Sequence, residues 1–355
     1  MNFFDPEKEA SFLRRCFDLA RLGAGAVSPN PMVGAVLVHE GRIIGEGYHH
    51  RHGGPHAEVE AVRSVSESDR RFLKESTLYV SLEPCCVYGR TPPCTNLILE
   101  TGIPRVVVSN PDLSPGVNGE GFRQLQEGGV TVIKGVLADE GAPFSAIRNT
   151  FVGKKRPYVI LKFARSADGF LGLPGRQVWL TGEASKRLVH KWRAETDAIL
   201  VGAQTLRSDD PALTNRYFPG RSPVRLVMDA RGELSPLRKV FDAAAPTWVF
   251  TENPEFYEGR QGIERVVTAP FGKAFLPFLL NYLAETSLTS LMVEGGTALL
   301  EQFLSEGLWD EARVLTAPTY LGEGIKAPVM PGVPLAAYQV QQDRLEVFKP
   351  QEAIR

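Results

Sequence analysis

The sequence predicts an α/β protein of two domains: a three-layer α/β/α unit with a mixed sheet, then a second α/β unit. Three observations predict it. Two short apolar strands joined by a hairpin signal are followed by alternating helix and strand patterns, down to a closing helix near residues 137–149. A polar, proline-terminated stretch, GKKRP at 153–157, then breaks the pattern. Beyond it an uninterrupted apolar run, YVILKFA, restarts the alternation, as expected for a strand buried on both faces. A chain of 355 residues, 43% of them hydrophobic, is long enough for two cores. The domains are placed at residues 1–152 and 153–355.

Residues 5–22 read as a helix, with Asp5-Pro6 as cap and first turn and Phe12, Cys16, Leu19 and Leu22 near helical spacing. VGAVLV (33–38) and RIIGEGYH are strands around the Glu40-Gly41 hairpin signal. His56 opens a helix to about Ser64, and Thr77–Leu82 is the third strand. Cys94 opens a helix that closes at Gly102, Arg105–Ser109 is a strand, Glu120–Glu127 a helix and Val130–Lys134 a strand. In the second domain, Glu183–Arg193 is a helix and Asp197–Val201 a strand, followed by a helical turn to Leu206 and a polar loop, RSDDPALTNR (207–216). Strands are expected at Val224–Met228, Thr247–Thr251, Glu264–Val267, Leu288–Val293 and Glu311–Ala317, with helices at Lys273–Glu285 and Thr297–Glu306.

The chemistry concentrates between His56 and Cys94. His56, Cys85 and Cys94 make a His-Cys-Cys zinc set with a fourth position open, the mark of catalytic rather than structural zinc. Glu58 is not needed as a ligand and stands where a carboxylate can take a proton from water and pass it on. H-x-E followed by P-C is the signature of zinc-dependent nucleobase deaminases. Cys86 rivals Cys85, but Cys85 directly follows Pro84, as the motif requires; Cys86 is read as a small core or wall residue. His49, His50 and His52 sit in a glycine-flanked loop and read as solvated or substrate-facing rather than as ligands. Eight residues, CVYGRTPP, separate Cys85 from Cys94, where nucleic-acid deaminases have two. This insert brings Tyr88 and Arg90 to the metal mouth and suits a small phosphorylated substrate.

Bulk properties narrow the function. A net charge of −1 with no long basic run argues against a general nucleic-acid surface. Three of the four cysteines crowd into one motif, which is metal-site spacing in a reducing compartment rather than a disulfide framework. The acidic N-terminus is not a signal peptide and no run of apolar residues spans a membrane, so the expected location is the cytoplasm.

SPNPMVGAVLV, GEGYHHRHGGPHAEVEA and SLEPCCVYGRTPPC together resemble the deaminase half of the RibD family of bifunctional riboflavin-biosynthesis proteins. The resemblance implies a cytidine-deaminase-like fold, zinc on His56, Cys85 and Cys94, and a proton carrier at Glu58. It implies deamination of 2,5-diamino-6-ribosylamino-4(3H)-pyrimidinone 5′-phosphate. Val87 departs from the family, which usually has His there.

In the second half no G-x-G-x-x-G follows a strand, so an ordinary dinucleotide fold is not expected. Glu294-Gly295-Gly296 before a helix offers backbone N–H groups to a phosphate instead. LKFARSADG, Trp179-Leu180-Thr181 and LVGAQTLRSDDPALTNR resemble the reductase half of the same family, a dihydrofolate-reductase-like α/β domain using NADPH. Carried over by position, cofactor contacts fall on Arg165, Trp179, Thr205, Asp209 and the stretch Gly296, Thr297, Ala298, Leu299, Leu300, Glu301 and Gln302. Substrate contacts fall on Gln177, Arg193, Leu213, Arg216 and Glu294. Arg193 and Arg216 are the natural phosphate partners, and Asp209 is the candidate acid–base group as the ribose opens. Arg165 and Gln177 depart from common family usage. The resemblance also implies a homo-oligomer, dimer or tetramer. Two other readings remain: a nucleic-acid (tRNA-type) zinc deaminase with an accessory binding domain, and a zinc-stabilised scaffold without catalysis.

Overall fold

The computed structural model describes residues 6–89 and 92–350. The chain divides into two compact units, Met1–Arg156 and Pro157–Arg355. Asp5, expected to cap the first helix, and Arg90, expected at the metal mouth, lie outside the described residues.

The first unit runs α1 (Pro6–Arg21), β1 (Gly34–His39), β2 (Arg42–Tyr48), α2 (Ala57–Arg63), β3 (Thr77–Leu82), α3 (Cys94–Thr101), β4 (Arg105–Asn110), α4 (Glu120–Glu127), β5 (Thr131–Lys134) and α5 (Ala138–Lys154). Its sheet has the order β2-β1-β3-β4-β5. β1 is antiparallel to both neighbours, while β3, β4 and β5 are parallel. Every residue of β1 is buried, because alternate side chains enter two separate cores. Ala35 and Leu37 join Ala57 and Ala61 of α2, Ile98 of α3 and Phe122 of α4. Val36 and Val38 join Leu13 and Phe17 of α1 and Phe144 of α5. Two cores on one sheet are the three layers.

Two glycines of β2 set the position of the helix that carries the chemistry. A Cβ on Gly45 would lie 2.4 Å from the Ala61 carbonyl oxygen, and one on Gly47 would lie 2.5 Å from the Ala61 nitrogen. Only glycine lets α2 sit this close to the strand. The linker expectation needs one correction. α5 continues to Lys154, so the first two residues of GKKRP are helical and the break narrows to Lys155–Pro157.

The second unit contains β6 (Tyr158–Arg165), β7 (Phe170–Gly172), α6 (Glu183–Glu195), β8 (Ala198–Gly202), α7 (Ala203–Asp209), β9 (Val224–Met228), β10 (Thr247–Thr251), β11 (Arg265–Thr268), α8 (Phe275–Glu285), β12 (Ser290–Val293), α9 (Thr297–Ser305), β13 (Glu311–Thr316), β14 (Ile325–Lys326), β15 (Ala336–Val340) and β16 (Asp343–Phe348). Nine strands form one sheet in the order β11-β10-β9-β8-β12-β6-β13-β16-β15. Seven are parallel, and the last two add as an antiparallel hairpin. β7 and β14 pair separately. These four short or edge strands were not expected from the sequence. The polar loop expected from residue 207 begins later, because α7 runs to Asp209 and ends at Asp210 in a left-handed conformation.

Parallel strands place their carboxyl ends along one edge, where open α/β sheets bind ligands. Here that edge carries the ends of β6, β12, β8 and β9. At the opposite end of β9, one residue after its start, Arg225 is fully buried. Its guanidinium donates to Thr247 Oγ1 at 2.9 Å, to Asp242 Oδ1 at 2.6 Å and to the Ala212 carbonyl at 3.3 Å. The last bond fixes the loop after α7 against the sheet.

Candidate active sites

In the first unit three elements deliver three donors to one point. His56 is the residue before α2, Cys85 follows β3 through Pro84, and Cys94 is the first residue of α3. The His56 Nδ1 lies 3.4 Å from each sulfur, and all three donor atoms fall within 4.8 Å of one another. The amide N–H of Cys94 donates to Cys85 Sγ at 3.3 Å, and that of Thr95 to the Cys85 carbonyl at 3.1 Å. Helix-terminal amides facing a sulfur favour its thiolate.

The electrostatics of this cluster agree. A hydrogen bond from Cys94, then one from His56, holds the Cys85 thiol down to about 4. Cys94 is pushed well up by the same shared proton and by burial. The His56 imidazole is held up to about 9, mostly by Cys85. One nitrogen and two sulfurs form a donor set suited to zinc. Glu58, 3% exposed, stands on the first turn of α2 within hydrogen-bonding reach of Cys94, and burial raises its pKa.

The surrounding residues divide differently from the expectation in one case. His49 is not solvated: it is 2% exposed. Its Nδ1 donates to the Pro55 carbonyl at 2.8 Å and its Nε2 accepts from Asn30 Nδ2 at 3.0 Å. That ring therefore ties the SPNP turn to the residue before His56. Cys86 stays out of the donor cluster and donates to the Gly116 carbonyl at 3.2 Å. Glu83 was not singled out by the sequence. Its buried carboxylate accepts amide N–H groups of Asp112, Gly119 and Gly121 between 2.9 and 3.2 Å. It organises the loop over the cysteines, and no local pattern announces it.

The second unit holds a cleft of about 1180 Å³ along the carboxyl edge of its sheet. Gln177, Trp179, Arg193, Thr205, Asp209, Leu213, Arg216, Glu294, Gly296, Thr297 and Ala298 all line it. The structure brings these expected residues together from segments more than 100 positions apart. Glu294 accepts from Arg193 in a bidentate pair at 2.9 and 2.8 Å, and Lys162 Nζ lies 3.5 Å away. Burial alone pushes that carboxyl up, but Arg193 and Lys162 overcome it and hold it at about 2. Asp209 has its pKa raised by burial.

Several expected contacts are not in the cleft. Arg165 donates to Thr316 Oγ1 and Glu346 Oε2, both at 3.0 Å, and so is held on β13 and β16. Leu299 and Leu300 are core residues, because the inner face of α9 packs on the sheet. Glu301 points to solvent, and Gln302 bonds Glu306 and the Gly272 carbonyl. Arg193 lines the cleft, and its Nη1 also donates to the Thr214 carbonyl at 3.2 Å. His190, also in the lining, was not expected; its Nδ1 accepts the Arg216 amide N–H at 3.0 Å.

A layered unit with a His-Cys-Cys cluster and a buried carboxylate, followed by a reductase-type α/β unit, defines the class: a zinc deaminase joined to a reductase. Comparison with known proteins agrees. A family model described as the cytidine and deoxycytidylate deaminase zinc-binding region matches residues 6–110, and one described as the RibD C-terminal domain matches residues 157–353. The riboflavin biosynthesis protein RibD of Aquifex aeolicus is 39% identical over 325 residues, covering 90% of this chain and 89% of that protein. The RibD of Escherichia coli K12 is 35% identical over 330 residues, covering 88% of each. A crystal structure from Thermotoga maritima superposes with a TM-score of 0.87 at 35% identity, covering 97% of this chain and 99% of that one. It is described as a diaminohydroxyphosphoribosylaminopyrimidine deaminase/5-amino-6-(5-phosphoribosylamino)uracil reductase.

The chain belongs to the RibD family. It is a bifunctional deaminase and reductase of riboflavin biosynthesis, with zinc and NADPH as its cofactors. The nucleic-acid deaminase and the inert scaffold are not favoured. No helix among the described residues is long and apolar enough to cross a membrane.

Proposed function

We propose that residues 1–152 deaminate 2,5-diamino-6-ribosylamino-4(3H)-pyrimidinone 5′-phosphate and that residues 153–355 then reduce its ribosyl side chain to ribityl. The observation that carries the reading is the convergence of His56, Cys85 and Cys94 beside the buried Glu58. His56, Cys85 and Cys94 hold the zinc, which when bound supplies Lewis acidity and brings the pKa of water toward neutrality. Glu58 takes a proton from the attacking water, gives it to the ring nitrogen, and carries a second to the departing amine. Its burial keeps the shuttle out of bulk solvent and its raised pKa suits a group that must hold and release a proton.

In the second unit NADPH supplies the hydride. Trp179, Thr205 and the amides at Gly296–Ala298 are the cofactor's contacts, and Gln177, Leu213, Arg216 and Glu294 are the substrate's. Asp209 moves a proton as the ribose ring opens, from a position that burial makes less acidic. On this reading the protein works in the cytoplasm as a homo-oligomer on a small phosphorylated pyrimidine.

Zinc-loaded full-length protein is incubated with the diaminopyrimidine phosphate, with and without NADPH, and the products are weighed by mass spectrometry. The expected result is the deaminated compound alone without NADPH and its reduced form with it. Unchanged substrate in both reactions would defeat the proposal.

A further inference from the structure

One wall of the second cleft is a strap of chain, residues 173–181, between β7 and α6. It brings Arg176, Gln177, Trp179 and Thr181 to the cleft. It is thinly held. The Arg176 amide donates to the Leu173 carbonyl at 3.4 Å, and Gln177 Nε2 donates to the Asp209 carbonyl at 3.4 Å. Residues 178–181 make no hydrogen bond among the described residues. Trp179 is 73% exposed and meets Lys186 of α6, whose Nζ stands 5.6 Å from its ring. A segment with so few bonds keeps its place through its ends.

The end next to α6 is fixed from far away in sequence. Asp343, 1% exposed, is the first residue of β16, where the β15–β16 hairpin turns. Its Oδ2 accepts the amide N–H of Gly182 at 2.8 Å and the hydroxyl of Ser185 at 2.6 Å. Gly182 is the residue before α6 and has no side chain with which to cap the helix. The carboxylate supplies that cap, with its charge at the positive end of the helix. The turn fits closely: a Cβ on Gly182 would lie 2.2 Å from Gln342 Nε2. Asp343 itself is not among the residues that line the cleft.

We propose that Asp343 is a positioning residue of the reductase: from outside the cleft it caps α6 and anchors the strap, so that Trp179 stands in place before NADPH arrives. The inference rests on the reductase reading above, in which Trp179 contacts the cofactor. It adds a residue of the β15–β16 hairpin, to which that reading gives no role. The anchor acts on binding rather than on the chemical step. Without it, the free energy of ordering the strap is drawn from cofactor binding, so KM moves and kcat does not.

The test uses the full chain. NADPH affinity is read by fluorescence titration of the nicotinamide and by KM, with the deaminated intermediate as substrate. Asp343→Ala raises Kd and KM for NADPH about threefold to thirtyfold, the range for a lost helix cap, and leaves kcat unchanged. Asp343→Asn, which keeps one oxygen for the same two donors, retains most of the affinity. A double-mutant cycle separates positioning from a general loss of structure. Trp179→Ala weakens NADPH binding in the wild type and has little further effect in Asp343→Ala, because the ring is already out of place. Additive losses, or an unchanged Kd in Asp343→Ala, overturn the inference. If Asp343→Ala does not fold, Ser185→Ala decides: it removes one of the two bonds, and a Kd equal to that of the wild type overturns the inference in the same way. A wild type that neither binds nor oxidises NADPH defeats the reductase reading, and this inference with it. A wild type that does both, matched by Asp343→Ala, defeats this inference alone.

Discussion

Replacing Glu294 with glutamine removes the anion that two buried cations share. The wild-type carboxyl is held at about 2 against an ordinary 4.5, and the group is fully buried. That difference corresponds to about 3 kcal/mol of folding stability. For a depressed carboxyl the contribution is complete above its unfolded pKa and disappears as pH falls from about 4.5 toward 2; at pH 4 about 1 kcal/mol has gone. Glu294→Gln leaves Arg193 and Lys162 without their carboxylate, so the loss at pH 7 is about 3 kcal/mol. For a unit of this size that lowers the midpoint by about 6–12 °C. Scanning calorimetry of the full chain reads it, with the second unit's transition identified as the one NADPH moves upward. The gap between wild type and variant should be widest at pH 7 and narrower at pH 4. A variant that melts with the wild type at pH 7, or a gap that does not shrink on acidification, would refute the claim that this pair is a strong buried interaction.

Other outcomes follow from the same geometry. Cys94→Ala should lose zinc by elemental analysis, since it removes one of three converging donors, and equal zinc in both proteins would sink that ligand set. Glu58→Gln should keep its zinc and lose about 10²–10⁴-fold in deamination, because it removes a proton carrier and not a ligand; a rate near wild type would remove Glu58 from the mechanism. Asp209→Asn should lower reductase kcat with little change in KM or melting temperature, whereas a matching loss of stability would mean the residue only shapes its loop. Gly47→Ala should destabilise the first unit by about 1–3 kcal/mol, as its Cβ would stand 2.5 Å from the Ala61 backbone. An unchanged melting transition would mean α2 is free to move away.

Much of the fold was legible because parallel strands are written as short apolar runs. AILVG and SLMV could only be buried, and they are. What stayed hidden was either short or two-faced. β15 mixes polar and apolar residues over five positions, β16 mixes charged and apolar residues over six, and β14 has two residues. α5 carries Pro143 and no clear apolar stripe, so its end could not be placed. At the first site the ligands were legible because their chemistry is rare and their order fixed. The roles of Glu83 and His49 were not, since the partners of both, backbone amides for Glu83 and the Asn30 side chain and Pro55 carbonyl for His49, are set by how the loops fold. In the second cleft, Arg193 and Glu294 are separated by 101 positions. A sequence identifies each as charged but not that they pair with each other.

The order of strands in the second unit has a consequence for how the chain is made. β6 and β8 follow closely in sequence, yet they do not pair; β12 lies between them, touching both. A nascent chain that ends before Ser290 therefore has two apolar strands with bare facing edges and no means of closing the gap. The first unit has no such wait, because its sheet is laid down almost in the order of synthesis. Long-range insertion of this kind slows folding and leaves sticky intermediates. The unit that reduces is thus the later to close its sheet during synthesis, and a chain cut short before Ser290 forfeits the sheet's centre as well as one margin.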